Sequence, residues 1–159
     1  MADIVLGSTG IRVNKNGFGA LPIQRVDIKE AARLLNKAYN GGVRFFDTAR
    51  AYSDSEEKIH AAFSDKREKL FISTKTAATT VAEFNRDLEK SLSYLGYIDI
   101  YQFHNPSFCP KPGDGTGLYE AMLKARDEGK IRHIGLTNHR LGVAKEAIES
   151  GLYETIQFP

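Results

Sequence analysis

Val43-Arg44-Phe45-Phe46-Asp47-Thr48 and Leu70-Phe71-Ile72-Ser73-Thr74-Lys75 bracket a stretch of helical period, and this unit decides the fold. Each outer piece opens as a near-continuous apolar run, the pattern of a strand buried on both faces. Each then ends on polar residues. Between them, Ile59, Ala62 and Phe63 recur at the spacing of one helix face. A strand, a helix and a second strand within about 30 residues make a βαβ unit, whose two strands run parallel.

The unit repeats along the chain. Further β-like runs lie at 14–20, 98–104, 133–138 and 155–159. Between them fall four more apolar stripes of helical period: Ile28, Ala31, Leu35 and Ala38; Phe84, Leu88, Leu92 and Leu95; Leu118, Met122 and Ala125; Leu141, Ala144 and Ile148. Gly41, Gly96, Gly129 and Gly151 close these helices. Asp27 with Glu30, Ser53 with Glu56 and Thr80 with Glu83 have capping-box spacing at three helix starts. Strands alternating with helices predict a parallel sheet covered by helices. An open doubly wound sheet and a (β/α)8 barrel both satisfy this. Gly17-Phe18-Gly19 begins a dinucleotide-binding fingerprint, but Ile23 and Gln24 follow where it needs a glycine and a helix start, which weakens the doubly wound reading. Ile4-Val5-Leu6 and Ile11-Arg12-Val13, around Ser8-Thr9-Gly10, read as a β-hairpin able to plug the N-terminal end of a barrel. A complete barrel needs eight strands. Six strands and five helices are found here. The fold class expected is therefore α/β, of the (β/α)8 TIM-barrel type, incomplete, with an N-terminal hairpin. Residues 1–159 are read as one domain, the N-terminal portion of a barrel completed by a missing C-terminal part or by a second copy.

Composition bounds the function classes. The 159 residues are 42% hydrophobic and 26% charged, a globular balance. The 22 basic and 20 acidic side chains nearly cancel, to +2, and give no electrostatic reason to expect nucleic acid or an anionic membrane as partner. Cys109 is the only cysteine, so no intrachain disulfide and no cysteine-based zinc site is expected, and no metal is assigned. No apolar run approaches the ~20 residues that cross a bilayer. Met1-Ala2-Asp3 shows no secretory n-region, and the default compartment is the cytoplasm.

Reactive groups of parallel α/β proteins gather at the C-terminal edge of the sheet. The polar strand ends are Asp47-Thr48, Ser73-Thr74-Lys75, His104-Asn105, Thr137-Asn138 and Gln157, and Tyr52 follows Asp47 within one loop. Singly, each has an ordinary reading: a helix cap, half-buried packing, a solvated lysine, a core histidine. Ser53 is expected to supply the cap that would otherwise explain Asp47. Jointly they suit protonation of an oxygen. A free phenol, pKa about 10, is a weak acid near neutrality. An ammonium on Lys75 would lower the pKa of Tyr52, Asp47 would hold that ammonium, and His104 would hydrogen-bond a substrate oxygen.

Five motifs, in order, resemble the aldo-keto reductase superfamily: Leu6-Gly7-Ser8-Thr9-Gly10, Phe46-Asp47-Thr48-Ala49-Arg50-Ala51-Tyr52, Phe71-Ile72-Ser73-Thr74-Lys75, Asp99-Ile100-Tyr101-Gln102-Phe103-His104 and Ile131-Arg132-His133-Ile134-Gly135-Leu136-Thr137-Asn138. The resemblance covers the whole chain. It implies reduction of an aldehyde or ketone with a nicotinamide cofactor, NADPH or else NADH, and a small-molecule carbonyl substrate. It implies catalytic roles for Asp47, Tyr52, Lys75 and His104, with Tyr52 giving the proton. It places Thr137, Asn138 and Gln157 on the nicotinamide carboxamide; the first strand, with Gly19 as a cofactor-binding candidate that would permit close approach, lies at the barrel floor or beside the nicotinamide. Ser53 stands where the family commonly has glycine, and His60 where it commonly has a small residue. The loop 105–117 is a candidate substrate wall, with Cys109 in it as a bystander. The alternatives are a non-catalytic, cofactor-sensing subunit and an inactive fragment of a reductase.

Overall fold

A computed structural model describes residues 3–159; Met1 and Ala2, which enter the reading of the amino terminus, lie outside the described residues. The chain opens with an antiparallel pair, β1 (Asp3–Val5) and β2 (Arg12–Asn14). Six parallel strands follow in strict sequential order: β3 (Phe18–Gly19), β4 (Phe45–Asp47), β5 (Phe71–Thr76), β6 (Ile98–His104), β7 (Ile131–Thr137) and β8 (Thr155–Gln157). The connecting helices are α1 (Ile28–Asn40), α2 (Ser55–Phe63), α3 (Val81–Leu95), α4 (Leu118–Asp127) and α5 (Leu141–Ser150). Sequential order without a reversal is that of a barrel wall and not of a doubly wound sheet. The six strands form a curled half-barrel.

Two cores lie on the two faces of the sheet. Phe46, Ile72, Tyr101, Phe103, Ile134 and Leu136 point outward and meet the helices through Leu35, Ile59, Phe63, Phe84, Leu88, Met122 and Ala125. On the inner face, Ile100 packs with Ile11 and Val13 of the hairpin, flanked by Leu6, Phe45 and Phe71. The hairpin is thus the floor of the half-barrel. Gly7 (φ +52°) anchors it: Ser8 N donates to Glu154 O at 2.9 Å, and a Cβ on Gly7 would lie 1.9 Å from that same oxygen. Only glycine allows this approach.

Several local expectations need correction. The first β-like run divides: Asn14 belongs to the hairpin, and the parallel strand is only Phe18–Gly19. Of the three capping boxes, Thr80 with Glu83 forms in full. Asp27 caps α1 through Lys29 N and Glu30 N, but Glu30 turns to Arg33. Ser53 caps nothing. Helix α2 starts at Ser55, after Asp54, without a side-chain cap, and Glu56 turns into the protein. The α5 stripe also fails in part. Ala144 and Ala147 are buried, yet Leu141 and Ile148 are 71% and 65% exposed. Helix α5 leans on β7 and β8, and among the described residues nothing covers its far flank.

Candidate active site

Parallel register brings the strand ends to one rim. Gly19 pairs with Asp47, Asp47 with Ser73, His104 with Thr137, and Thr137 with Gln157. Tyr52, Lys75, His104, Thr137, Asn138 and Gln157 line one cleft of about 330 Å³, together with Leu21, His139, Phe158 and Pro159. Asp47 and Gln102 lie at its base, beside a second cavity of about 340 Å³ that runs down to the hairpin.

Lys75 is 2% exposed. A buried ammonium is tolerated when its hydrogens are taken up. Lys75 Nζ donates to Asp47 Oδ2 at 2.5 Å and to Thr48 O at 2.7 Å. Burial pulls its pKa below that of a free lysine, and Asp47 works against that pull. The same Nζ stands 5.1 Å from the centroid of the Tyr52 ring. Here the expected acidification of the phenol is corrected. Burial, and then the negative charge of Asp47, push the pKa of Tyr52 up, not down. Partial burial disfavours the charged phenolate, and the Asp47 carboxylate repels it further. Tyr52 therefore carries its proton at neutral pH, in the form a proton donor must have.

The ring of His104 meets that of Tyr52 edge to face, centroids 5.7 Å apart. Burial, with Lys75 next, lowers the pKa of His104. The imidazole is neutral at neutral pH, with one N–H to donate. A depressed histidine pKa means that, on acidification, the unfolded chain takes up this proton before the folded one, so folding stability falls as the pH drops below about 6.5, the value of a free imidazole. The thermal midpoint should fall further between about pH 7.5 and pH 5 in the unaltered protein than in His104→Gln, by differential scanning fluorimetry; equal falls refute this.

The remaining residues surround the cleft. Asn138 is 1% exposed; its Nδ2 donates to Pro106 O and its Oδ1 accepts from Arg140 N, both at 2.7 Å. These bonds fix the amide plane and leave one N–H and one lone pair free. The hydroxyl of Thr137 borders the same space, and the exposed amide of Gln157 lies at the next strand end. A Cβ added to Gly19 would meet nothing within 4 Å, so open space adjoins the first strand. Amide donors and acceptors around a cleft beside a bare backbone fit a flat, amide-bearing ring. Ser53 has φ 44° and directly follows Tyr52, while His60 lies on the surface of α2 with its Nδ1 2.7 Å from Tyr94 O. Cys109 is buried, which raises its pKa and leaves it unreactive at neutral pH. Among the described residues no group of three His, Cys, Asp or Glu could hold a metal ion, and no helix is long and apolar enough to cross a membrane.

Gln102 escaped the sequence reading. Its Nε2 donates to Ser73 Oγ at 2.6 Å and, more weakly, to Asp47 Oδ1 at 3.3 Å. It thereby holds the carboxylate oxygen that Lys75 leaves free. Gly135, on the neighbouring strand, makes room for it, since a Cβ there would lie 2.9 Å from Gln102 Cγ. Strand period two puts Gln102 on the same face as His104, two residues on, and was the signal available.

Comparison with known proteins gives the same outline. The family model described as the Aldo/keto reductase family matches residues 4–156. An aldo-keto reductase of Mycobacterium avium is 30% identical over 135 residues, covering 81% of this chain and 46% of that protein. A methylglyoxal reductase of Yersinia pestis is 30% identical over 141 residues, covering 86% and 50%. The crystal structure of a Bombyx mori aldo-keto reductase in complex with NADP superposes with a TM-score of 0.76 at 25% identity, covering 99% of this chain and 57% of that one. The chain spans about half the length of the curated relatives it matches.

Proposed function

Because the chain belongs to the aldo/keto reductase family, we propose that the protein carrying it reduces a small aldehyde or ketone to an alcohol with NADPH, or else NADH. The observation that carries this reading is the 2.5 Å contact of Lys75 with Asp47, beneath Tyr52 and beside His104. Thr137, Asn138, Gln157 and the open side of Gly19 are the residues that would hold the nicotinamide end of the cofactor. A reduced nicotinamide, when bound, supplies a hydride to the carbonyl carbon.

This chain's own residues handle the oxygen. His104 donates its N–H to the carbonyl oxygen and orients it. Tyr52 Oη gives its proton to that oxygen as negative charge grows there, and the resulting phenolate is stabilised by the nearby Lys75 ammonium. Gln102 and Thr48 O keep Asp47 and Lys75 from rearranging. The aromatic and aliphatic rim, Leu21 and Phe158, limits access of water. Cytoplasmic location and the absence of nucleic-acid or membrane partners belong to the same proposal.

One relative is a methylglyoxal reductase, so methylglyoxal is the first substrate to try. The expected result is consumption of NADPH on its addition, read by the loss of reduced-nicotinamide absorbance. Quenching of NADPH fluorescence on binding, without turnover of any of a panel of small aldehydes and ketones, would overturn the catalytic reading in favour of a cofactor sensor.

A further inference from the structure

Arg50 and Glu56 take no part in the proton path above, yet Glu56 is 1% exposed. Its spacing from Ser53 is that of a capping box, yet the carboxylate turns indoors. Its two oxygens are fully engaged. Oε2 is paired with the Arg50 guanidinium. Oε1 accepts from Thr74 Oγ1 at 2.6 Å and from Ser91 Oγ at 2.7 Å. Thr74 lies on β5 and Ser91 on α3, so the carboxylate is fastened to two rigid elements besides its own helix.

Arg50 transmits that fixed point to the loop bearing the phenol. Its backbone N donates to Lys75 O at 2.9 Å. Its Nη2 donates to Ser53 O at 3.3 Å. Arg50 and Ser53 flank Tyr52 at a distance of two residues and one. Ser53 sits at φ 44°, a left-handed conformation that side-chain-bearing residues resist and that persists only when its surroundings impose it. The Arg50 fork supplies one such imposition, directly at the strained residue's carbonyl. A buried ion pair of this kind adds little net stability over an apolar pair of like volume, so its effect is on geometry.

We propose that the Arg50–Glu56 pair is a positioning device for Tyr52, holding the loop between β4 and α2 so that the hydroxyl stays in the cleft over Lys75. This rests on the proposed role of Tyr52, but the test does not need turnover. The protein is labelled with tyrosine carrying ¹³C at Cζ, and the Tyr52 resonance is assigned by its disappearance in Tyr52→Phe. The variants are Arg50→Met and the double variant Arg50→Met/Glu56→Met, which leaves no unpaired buried charge. In the double variant the melting temperature should return to near that of the unaltered protein. The Tyr52 resonance should stay displaced or broadened, with its titration midpoint moved down toward the ~10 of a free phenol. The other tyrosines should be unmoved. Where reductase activity is measurable, kcat should fall about tenfold or more with KM little changed, as for a group that aligns the reaction without binding substrate. A Tyr52 resonance and titration that recover together with stability would overturn the proposal and leave the pair a structural tie. Should the double variant not fold, Thr74→Val keeps both charges and removes one hydrogen bond to Glu56. It should shift the Tyr52 resonance in the same direction by less, and no shift overturns the proposal equally. Absence of reductase activity in the unaltered protein would count against the catalytic reading alone, since the resonance reports position irrespective of chemistry.

Discussion

Tyr52→Phe should lower carbonyl reduction by about 10²- to 10⁴-fold, the contribution of a positioned general acid, and should leave the melting temperature nearly unchanged. The cleft contains several N–H groups, but the neutral phenol is the acid set closest above the buried ammonium. The Tyr52 hydroxyl has no partner among the described hydrogen bonds whose loss would be felt in folding, and the ring keeps its edge contact with His104 without it. Cofactor binding, read by NADPH fluorescence, should persist. Loss of turnover with binding retained would isolate the proton transfer. Turnover within threefold of the unaltered protein would remove Tyr52 from the mechanism.

Lys75→Met should be the most damaging single change to folding and to turnover together. It removes one partner of a buried pair and leaves the Asp47 carboxylate facing only the 3.3 Å contact of Gln102. Such a deletion costs about 3 kcal/mol, toward the lower end of the range because the Asp47 side chain is 15% exposed and partly hydrated. The double variant Asp47→Asn/Lys75→Met removes the orphaned charge and should regain most of the stability. It should not regain turnover, because nothing then stabilises a Tyr52 phenolate. Denaturant unfolding of the single and double variants, alongside the rate of methylglyoxal reduction, checks both halves. A double variant as unstable as the single would show that the ion pair's worth lies in packing of the lysine stem.

What the sequence reveals and conceals follows from the kind of signal involved. The apolar runs around Phe46 and Ile72 are legible because strands enclosed on both sides have no choice of composition. The hairpin floor and the five helices follow from periodicity in the same way. Ser53 with Glu56 has the spacing of a capping box and does not form one, whereas Thr80 with Glu83 does. The pattern is identical; what differs is that Thr74, Ser91 and Arg50 offer Glu56 a better partner indoors, and those contacts are distant in sequence. Leu141 and Ile148 form a helical stripe left exposed among the described residues, because what packs on a helix is not a local property. At the site, strand-end position and the family resemblance singled out Asp47, Lys75, His104 and Tyr52 as candidates, and the structure brings these four together at one rim. The direction of the phenol's shift was not legible, since it depends on how deeply the ring is buried and how near the Asp47 carboxylate stands. Gln102 is not legible because an uncharged amide on a strand has no mark of reactivity, and its bonds to Ser73 and Asp47 are distant in sequence.

The contact of Ser8 with Glu154 joins residues 146 positions apart. The β1–β2 ribbon can zip up from neighbouring residues early, but its tie to Glu154 forms only after the chain has been made out to β8. Ring closure over so long a span is entropically slow, and this anchor must wait for it. During synthesis on a ribosome the ribbon is therefore made well before its tie to Glu154 can form, and until β6 brings up Ile100, Ile11 and Val13 are a sticky surface for chaperones to shield.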